Sequence, residues 1–272
     1  MSLSQLETLL FWTAIIIYGI TLLIVVMYYW NTRYKGSNYL RNDEIPLRYF
    51  IQKQVDGSGK TIGYECLLRT QNEQGKWVLP KDLESLPLQR VIFLLEKTFE
   101  SLSNEHLTVS INLTYNQIMS RDFRYFVRWA ITKVAPMRFA VEFSADELNR
   151  NFNKRRLRHQ IQMGRSYGMR FAINNVGSSL NDLKKTEWLL PETDILKASM
   201  SSFRKESPDE WLDLNLQFWN KLAKENQIEL ILVGIENDED EQLAEKLQID
   251  SRQGYLFGRP ENIQERTVKN ER

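Results

Sequence analysis

Glu65, Asn112, Glu142, Asn174, Asn175, Lys197, Glu236 and Gln253 lie near the C-terminal ends of apolar runs spread along the chain. Carboxylate and amide oxygens are hard donors, so an ion held by such residues would be magnesium-like. Other metal and redox chemistry finds little support. A single cysteine, Cys66, excludes an intrachain disulfide and a cysteine zinc cluster, and two histidines, His106 and His159, argue against a histidine-rich site. The 36 basic and 35 acidic residues balance to a formal charge of +1, which offers nucleic acid or an acidic substrate no overall field.

Bringing these side chains together takes strands that end on one face. LRYFIQKQV and TIGYECLL flank the turn residues Asp56, Gly57, Ser58 and Gly59, the pattern of a hairpin. Helical and strand patterns then alternate: LQRVIFLLEKTFESL before LTVSINL, residues 121–134 before RFAVEFS, and the basic NKRRLRHQIQMGRSYG before MRFAINN. DILKAS follows, then a long helix whose start fits an N-cap, N1 and N3 at Ser207, Pro208 and Glu210. IELILVGIE, EDEQLAEKLQ and a last strand at Gln253 complete the series. Repeated strand–helix units predict parallel strands. A closed barrel gathers all their C-terminal ends on one face, whereas an open sheet gathers only those beside its switch point. The number of polar strand ends favours the barrel.

Leu9 to Trp30 contains no charge. As a helix it is about 33 Å long, enough to cross a hydrocarbon core of about 30 Å. Phe11 and Trp12 at one end, and Tyr28, Tyr29 and Trp30 at the other, fit interfacial aromatic belts. No basic region precedes the run and no small-residue cleavage site follows it, so a retained transmembrane helix is expected rather than a cleaved leader. Arg33, Lys35 and Arg41 follow it and only Glu7 precedes it, which places the C-terminal part in the cytoplasm and the N-terminus outside.

The motifs resemble those of the EAL domains, barrel phosphodiesterases that linearise the bacterial messenger cyclic di-GMP. YECLLR (64–69) is similar to the signature that names the family, with Cys66 where Ala is usual. VSINLT supplies the family's Asn at Asn112, and AVEFSADEL resembles its L-E-I-T-E segment with Glu142 kept. ILKAS carries its lysine at Lys197, VGIE matches E-G-V-E, and RQGYLFGRP resembles Q-G-Y-x-x-x-x-P. The resemblance implies an α/β fold, a TIM-type (βα) barrel preceded by a single transmembrane helix. The expected organisation is an extracytoplasmic N-terminus at 1–8, the transmembrane helix at 9–30, a juxtamembrane linker at 31–46, the EAL domain at 47–265 and a tail at 266–272. It also implies that Arg69 meets a phosphate of the ligand, that Gln253 and Pro260 border a guanine, and that Glu236 stays near.

Departures from the family pattern cluster at its catalytic positions. The acidic pair of the D-D-F-G-T-G-Y-S-S loop is Asn174-Asn175 here, and the loop is about three residues shorter. The second Glu of L-E-I-T-E, which braces that loop in the family, is Ala145. The first Glu of E-G-V-E is Val233, and the Asp two positions after the lysine is Ser199. A two-metal phosphodiester site needs carboxylates to neutralise two close dications. Glu65, Asn112 and Glu142 would hold at most one magnesium weakly, so no cofactor is required and Lys197 is left with little activated water to act on. The expectation is a catalytically inactive, membrane-anchored receptor for cyclic di-GMP. A nucleotide-independent scaffold is the alternative, and residual phosphodiesterase activity is a third. Expected partners are cyclic di-GMP, the membrane through residues 9–30, and a second copy or a membrane protein, with no nucleic acid. Two local readings stay open: Asn174 and Asn175 could simply cap the following helix, and the basic residues at 154–158 could be a solvated face or a contact with anionic lipid.

Overall fold

The computed structural model describes residues 3–40, 46–80, 85–102, 107–148, 152–204 and 213–263. The chain divides into two units, Met1–Ile45 and Pro46–Arg272.

The first unit contains one helix, α1 (Leu3–Leu40). Its stretch Glu7–Tyr28, with mean hydropathy 2.6 and none of it buried, is long and apolar enough to cross a membrane. The span is apolar on every side and finds no partner face in its own unit. Helix α1 continues through residues 31–40, the polar stretch expected to be a linker.

The second unit opens with β1 (Leu47–Val55) and β2 (Thr61–Gln71), paired antiparallel from Leu47–Thr70 onward. The turn between them is held by Asp56, whose Oδ1 accepts hydrogen bonds from the amides of Ser58 and Lys60. Gly59 sits there at φ 81°, where a side chain would be strained. Strand β3 (Trp77–Val78) adds to the far end of β2.

Six helix–strand repeats follow. Helix α2 (Leu88–Glu100) leads to β4 (Thr108–Asn112); α3 (Tyr115–Ile118) and α4 (Phe123–Val134) lead to β5 (Arg138–Ser144). Helix α5 (Lys154–Ser166) precedes β6 (Arg170–Val176), and α6 (Leu180–Thr186) precedes β7 (Ile195–Ser199). Helix α7 (Leu216–Glu225), β8 (Glu229–Val233), α8 (Asp238–Lys246) and β9 (Ser251–Gln253) complete the unit. Strands β2 and β4 to β9 are parallel, and β1 closes the ring by pairing antiparallel with both β2 and β9. The expected TIM-type barrel is thus present, with eight strands and one of them reversed.

Strand alternation decides what lies inside. Phe139, Val141 and Phe143 of β5, and Phe171 and Ile173 of β6, point outward and are buried under the helices, where the main apolar core lies. Inside the ring only a narrow apolar belt remains, built from Ala140, Ala172, Ile195 and Ile231. Val233 packs on that belt from above, and the other inward side chains at that level are polar.

The later helices start on residues that accept from their first free amides. Asn153, Ser179, Asn215 and Asn237 each play this part, at α5, α6, α7 and α8. Ser207, Pro208, Glu210 and the neighbouring Trp211 lie outside the described residues. The described helix α7 begins at Leu216, and its Trp219 is fully buried with Nε1 donating to Gly177 O.

Candidate functional site

The inward positions just above the apolar belt are Glu65 of β2, Glu142 of β5, Lys197 of β7 and Gln253 of β9. All four are buried, Lys197 and Glu142 to 1% exposure each. Lys197 Nζ donates to Glu65 Oε2 at 2.6 Å and to both oxygens of Glu142 at 2.8 and 2.9 Å. Amides supply the remaining donors. Asn112 Nδ2 reaches Glu65 Oε1 at 2.6 Å and Gln253 Nε2 reaches Glu65 Oε2 at 2.7 Å. Asn174 Nδ2 bridges Glu142 Oε2 at 3.1 Å and Asn112 Oδ1 at 3.2 Å.

One ammonium therefore serves two carboxylates, and the carboxylates are not equivalent. Burial alone would raise Glu65, but Lys197 and the Gln253 and Asn112 amides outweigh it and hold that carboxyl below its usual range. Glu142 has only one amide donor. Burial, then the charge of Glu65, pushes it up to about 7 against the pull of Lys197. Burial works against the charged form of Lys197, yet the two glutamates keep its ammonium above the usual lysine value. Cys66 faces away from this cluster and is buried, and burial followed by the nearby glutamates raises its thiol far out of the reactive range.

A cavity of about 340 Å³ and another of about 280 Å³ open beside this cluster. Glu65, Asn174, Asn175, Lys197, Ser199, Val233, Glu236 and Gln253 all line the smaller one, so most residues singled out from sequence do meet in space. Arg69 and Asn112 line the larger one. Pro260 lines neither, and Glu142 lies beneath them in the network. Arg69 is half-buried, and its guanidinium donates to Leu68 O at 2.8 Å. Burial lowers its pKa, partly offset by Tyr255 and Glu65, and among the described residues it has no carboxylate partner.

Asn174 and Asn175 do not cap the following helix. Ser179 caps α6, exchanging hydrogen bonds with Asp182 in a reciprocal box. Asn175 instead adopts φ 57°, a left-handed conformation that asparagine tolerates, where the β6–β7 register shifts. Its Nδ2 donates to Asp146 Oδ2 at 3.3 Å. Ala145, where the family's bracing Glu falls, is buried and its methyl group offers no polar contact, but its neighbour Asp146 holds the loop from one position along.

Sequence reasoning passed over Gln52, Gln54 and Asp146. Gln54 Nε2 donates to Gln253 Oε1 at 3.1 Å, and Gln253 Nε2 donates to Gln52 Oε1 at 3.2 Å. The alternation in LRYFIQKQV places both glutamines on one strand face, and that was the available signal.

The closed barrel thus carries an acidic, amide-lined and lysine-centred mouth. The EAL domain model matches residues 37–260, and the chain belongs to that family. It is 24% identical over 232 residues to cyclic di-GMP phosphodiesterase PdeA of Borreliella burgdorferi. That alignment covers 85% of this chain and 33% of the relative, so the chain spans about a third of that protein's length. Among solved structures, EAL enzyme Bd1971 in its cAMP- and cyclic di-GMP-bound form is 20% identical, with a TM-score of 0.66 over 91% of this chain and 70% of that one. The YkuI protein of Bacillus subtilis, in complex with cyclic di-GMP and calcium, is 19% identical with a TM-score of 0.62 over 79% and 56%. At these identities the structures establish the shared barrel.

Proposed function

We propose that this chain is a membrane-anchored EAL-domain receptor that binds cyclic di-GMP at the barrel mouth without hydrolysing it. One observation carries the reading: the ammonium of Lys197 sits between Glu65 and Glu142, and amides take up the oxygens left over. A pair of divalent cations does not fit that donor set. Placing them would displace a buried lysine that has no other acidic partner, and Asn174 and Asn175 bring no charge to neutralise a second dication. Among the described residues no group of three or more His, Cys, Asp or Glu side chains could hold a metal.

The chain's residues still suit a dianionic nucleotide. Arg69 offers a fork of donors to a phosphate, and Gln253, Glu236 and the exposed Tyr255 edge the smaller cavity with groups able to meet a base. The relatives support this ligand, since Bd1971 and YkuI are described in complex with cyclic di-GMP. The helix α1 anchors the domain, with the excess of Lys and Arg after the span on the cytoplasmic side.

Calorimetric titration of cyclic di-GMP into the full chain in detergent tests the binding half of this reading. Binding is expected in magnesium and equally in EDTA. Arg69→Ala should weaken it roughly tenfold or more, the loss of one charge-assisted hydrogen-bonding group. Absence of binding at high micromolar ligand would favour the scaffold instead.

A further inference from the structure

Residues 121–134 and 153–170 hold ten basic side chains and one acidic one, in a chain whose totals are 36 and 35. These residues form α4, α5 and their flanks, neighbours on the outside of the barrel that are bridged where Arg124 Nε donates to Tyr167 OH at 2.8 Å. Four of the ten are paired. Lys133 meets Glu96 and Glu100, Arg158 and Arg165 meet Glu192, and Arg170 meets Glu229. The one acid, Asp122, is engaged by Gln89. Among the described residues Arg121, Arg124, Arg128, Lys154, Arg155 and Arg156 have no carboxylate partner.

This concentration is more than a solvated helix face, because aromatic rings hold several of the cations without neutralising them. Arg124 and Arg128 lie over the Tyr167 ring at 5.7 and 5.6 Å, and Lys154 lies over Trp188 at 5.1 Å. Such contacts restrict the side chains while leaving their charge available. Arg124, Tyr125 and Arg128 recur at helical spacing, so they share one outward stripe of α4, and Arg121 lies in the turn just before it. Tyr125 is 65% exposed in the middle of it.

We infer that the α4–α5 face is a docking surface for anionic lipid headgroups. Its charge complements them, and each basic residue near an anionic bilayer adds attraction. A tyrosine among arginines suits the headgroup layer, where an amphipathic ring keeps its hydroxyl wet. Nucleic acid is the poorer occupant: single strands need open rings for base stacking, and the faces of Tyr167 and Trp188 are already covered by cations. The inference rests on α1 as the anchor, which would hold the domain near a bilayer at high effective concentration.

Cys66 is the chain's single cysteine and is buried, so a Thr132→Cys variant can be labelled on the α4 stripe with a polarity-sensitive dye. A Glu239→Cys variant on the acidic helix α8 serves as the control. The labelled full chain is placed in nanodiscs of neutral lipid, and of neutral lipid with about one-third anionic lipid. The dye at 132 is expected to shift to the blue in anionic discs only, to revert in about 0.5 M salt, and to stay unchanged at 239. Arg155→Glu with Arg156→Glu should raise the anionic lipid fraction needed, by on the order of tenfold in affinity, because two favourable charges are reversed. Failure of the chain to enter neutral discs would refute the anchor on which the inference rests. Stable incorporation with the same dye signal in both discs would overturn the lipid contact and leave the anchor standing. A shift produced in neutral discs by an added oligonucleotide or acidic peptide would give the face to that partner.

Discussion

The two ends of this barrel use the same chemical parts in opposite ways. At the N-terminal end, Arg170 pairs with Glu229 at 2.8 Å, Ser251 donates to the same carboxylate, and Arg165 pairs with Asp194. Each cation there has its own acid, and the charged groups are partly open to water. At the C-terminal end one lysine serves two glutamates, all three are buried, and four amides complete the cluster. The first arrangement is a stitch between strand ends. The second leaves an acidic excess beside a cavity, where solvent cannot relax it, and that is the end where barrels of this kind place their sites.

Breaking each cluster at its cation should separate the two. Lys197→Met strands two buried carboxylates and should cost about 3–5 kcal/mol, read as a large fall in the thermal midpoint of the full chain in detergent. Adding Glu65→Gln and Glu142→Gln to it should recover much of the loss. Next in size is the effect of pH. Glu142 has a folded pKa raised to about 7 from the usual carboxyl value, so its contribution is fully present in acid and is lost as pH rises through 7. Stability should therefore decline between about pH 4.5 and 7, by at most about 3 kcal/mol, and Glu142→Gln should flatten that slope. Smallest is Arg170→Ala at the opposite end, about 0.5–1 kcal/mol, because water screens a partly exposed pair. Equal losses for Lys197→Met and Arg170→Ala would erase the distinction between the ends.

The barrel was legible in the sequence because each strand announces itself by alternation and each polar end interrupts an apolar run. The hairpin was legible from Asp56 to Gly59 for the same local reason. What stayed hidden depended on distance. Nothing in ILKAS indicates that Lys197 would sit between Glu65 and Glu142, 132 and 55 residues away, because side-chain pairing across a barrel is fixed only by closure and register. Nor does AVEFSADEL alone indicate that Asp146 would hold Asn175 once Ala145 could not. Capping by Asn174 and Asn175 is open on local sequence, and it fails because Ser179 stands closer to the helix start with an acid three residues on.

The central claim is that a lysine-filled, amide-lined mouth receives the nucleotide without cutting it. The most direct measurement incubates the full chain in detergent with cyclic di-GMP and magnesium, then with manganese, and follows the linear dinucleotide by chromatography. The account predicts that the cyclic compound is recovered intact while titration detects its binding. Metal-dependent accumulation of the linear product, abolished by Glu65→Gln, would contradict it.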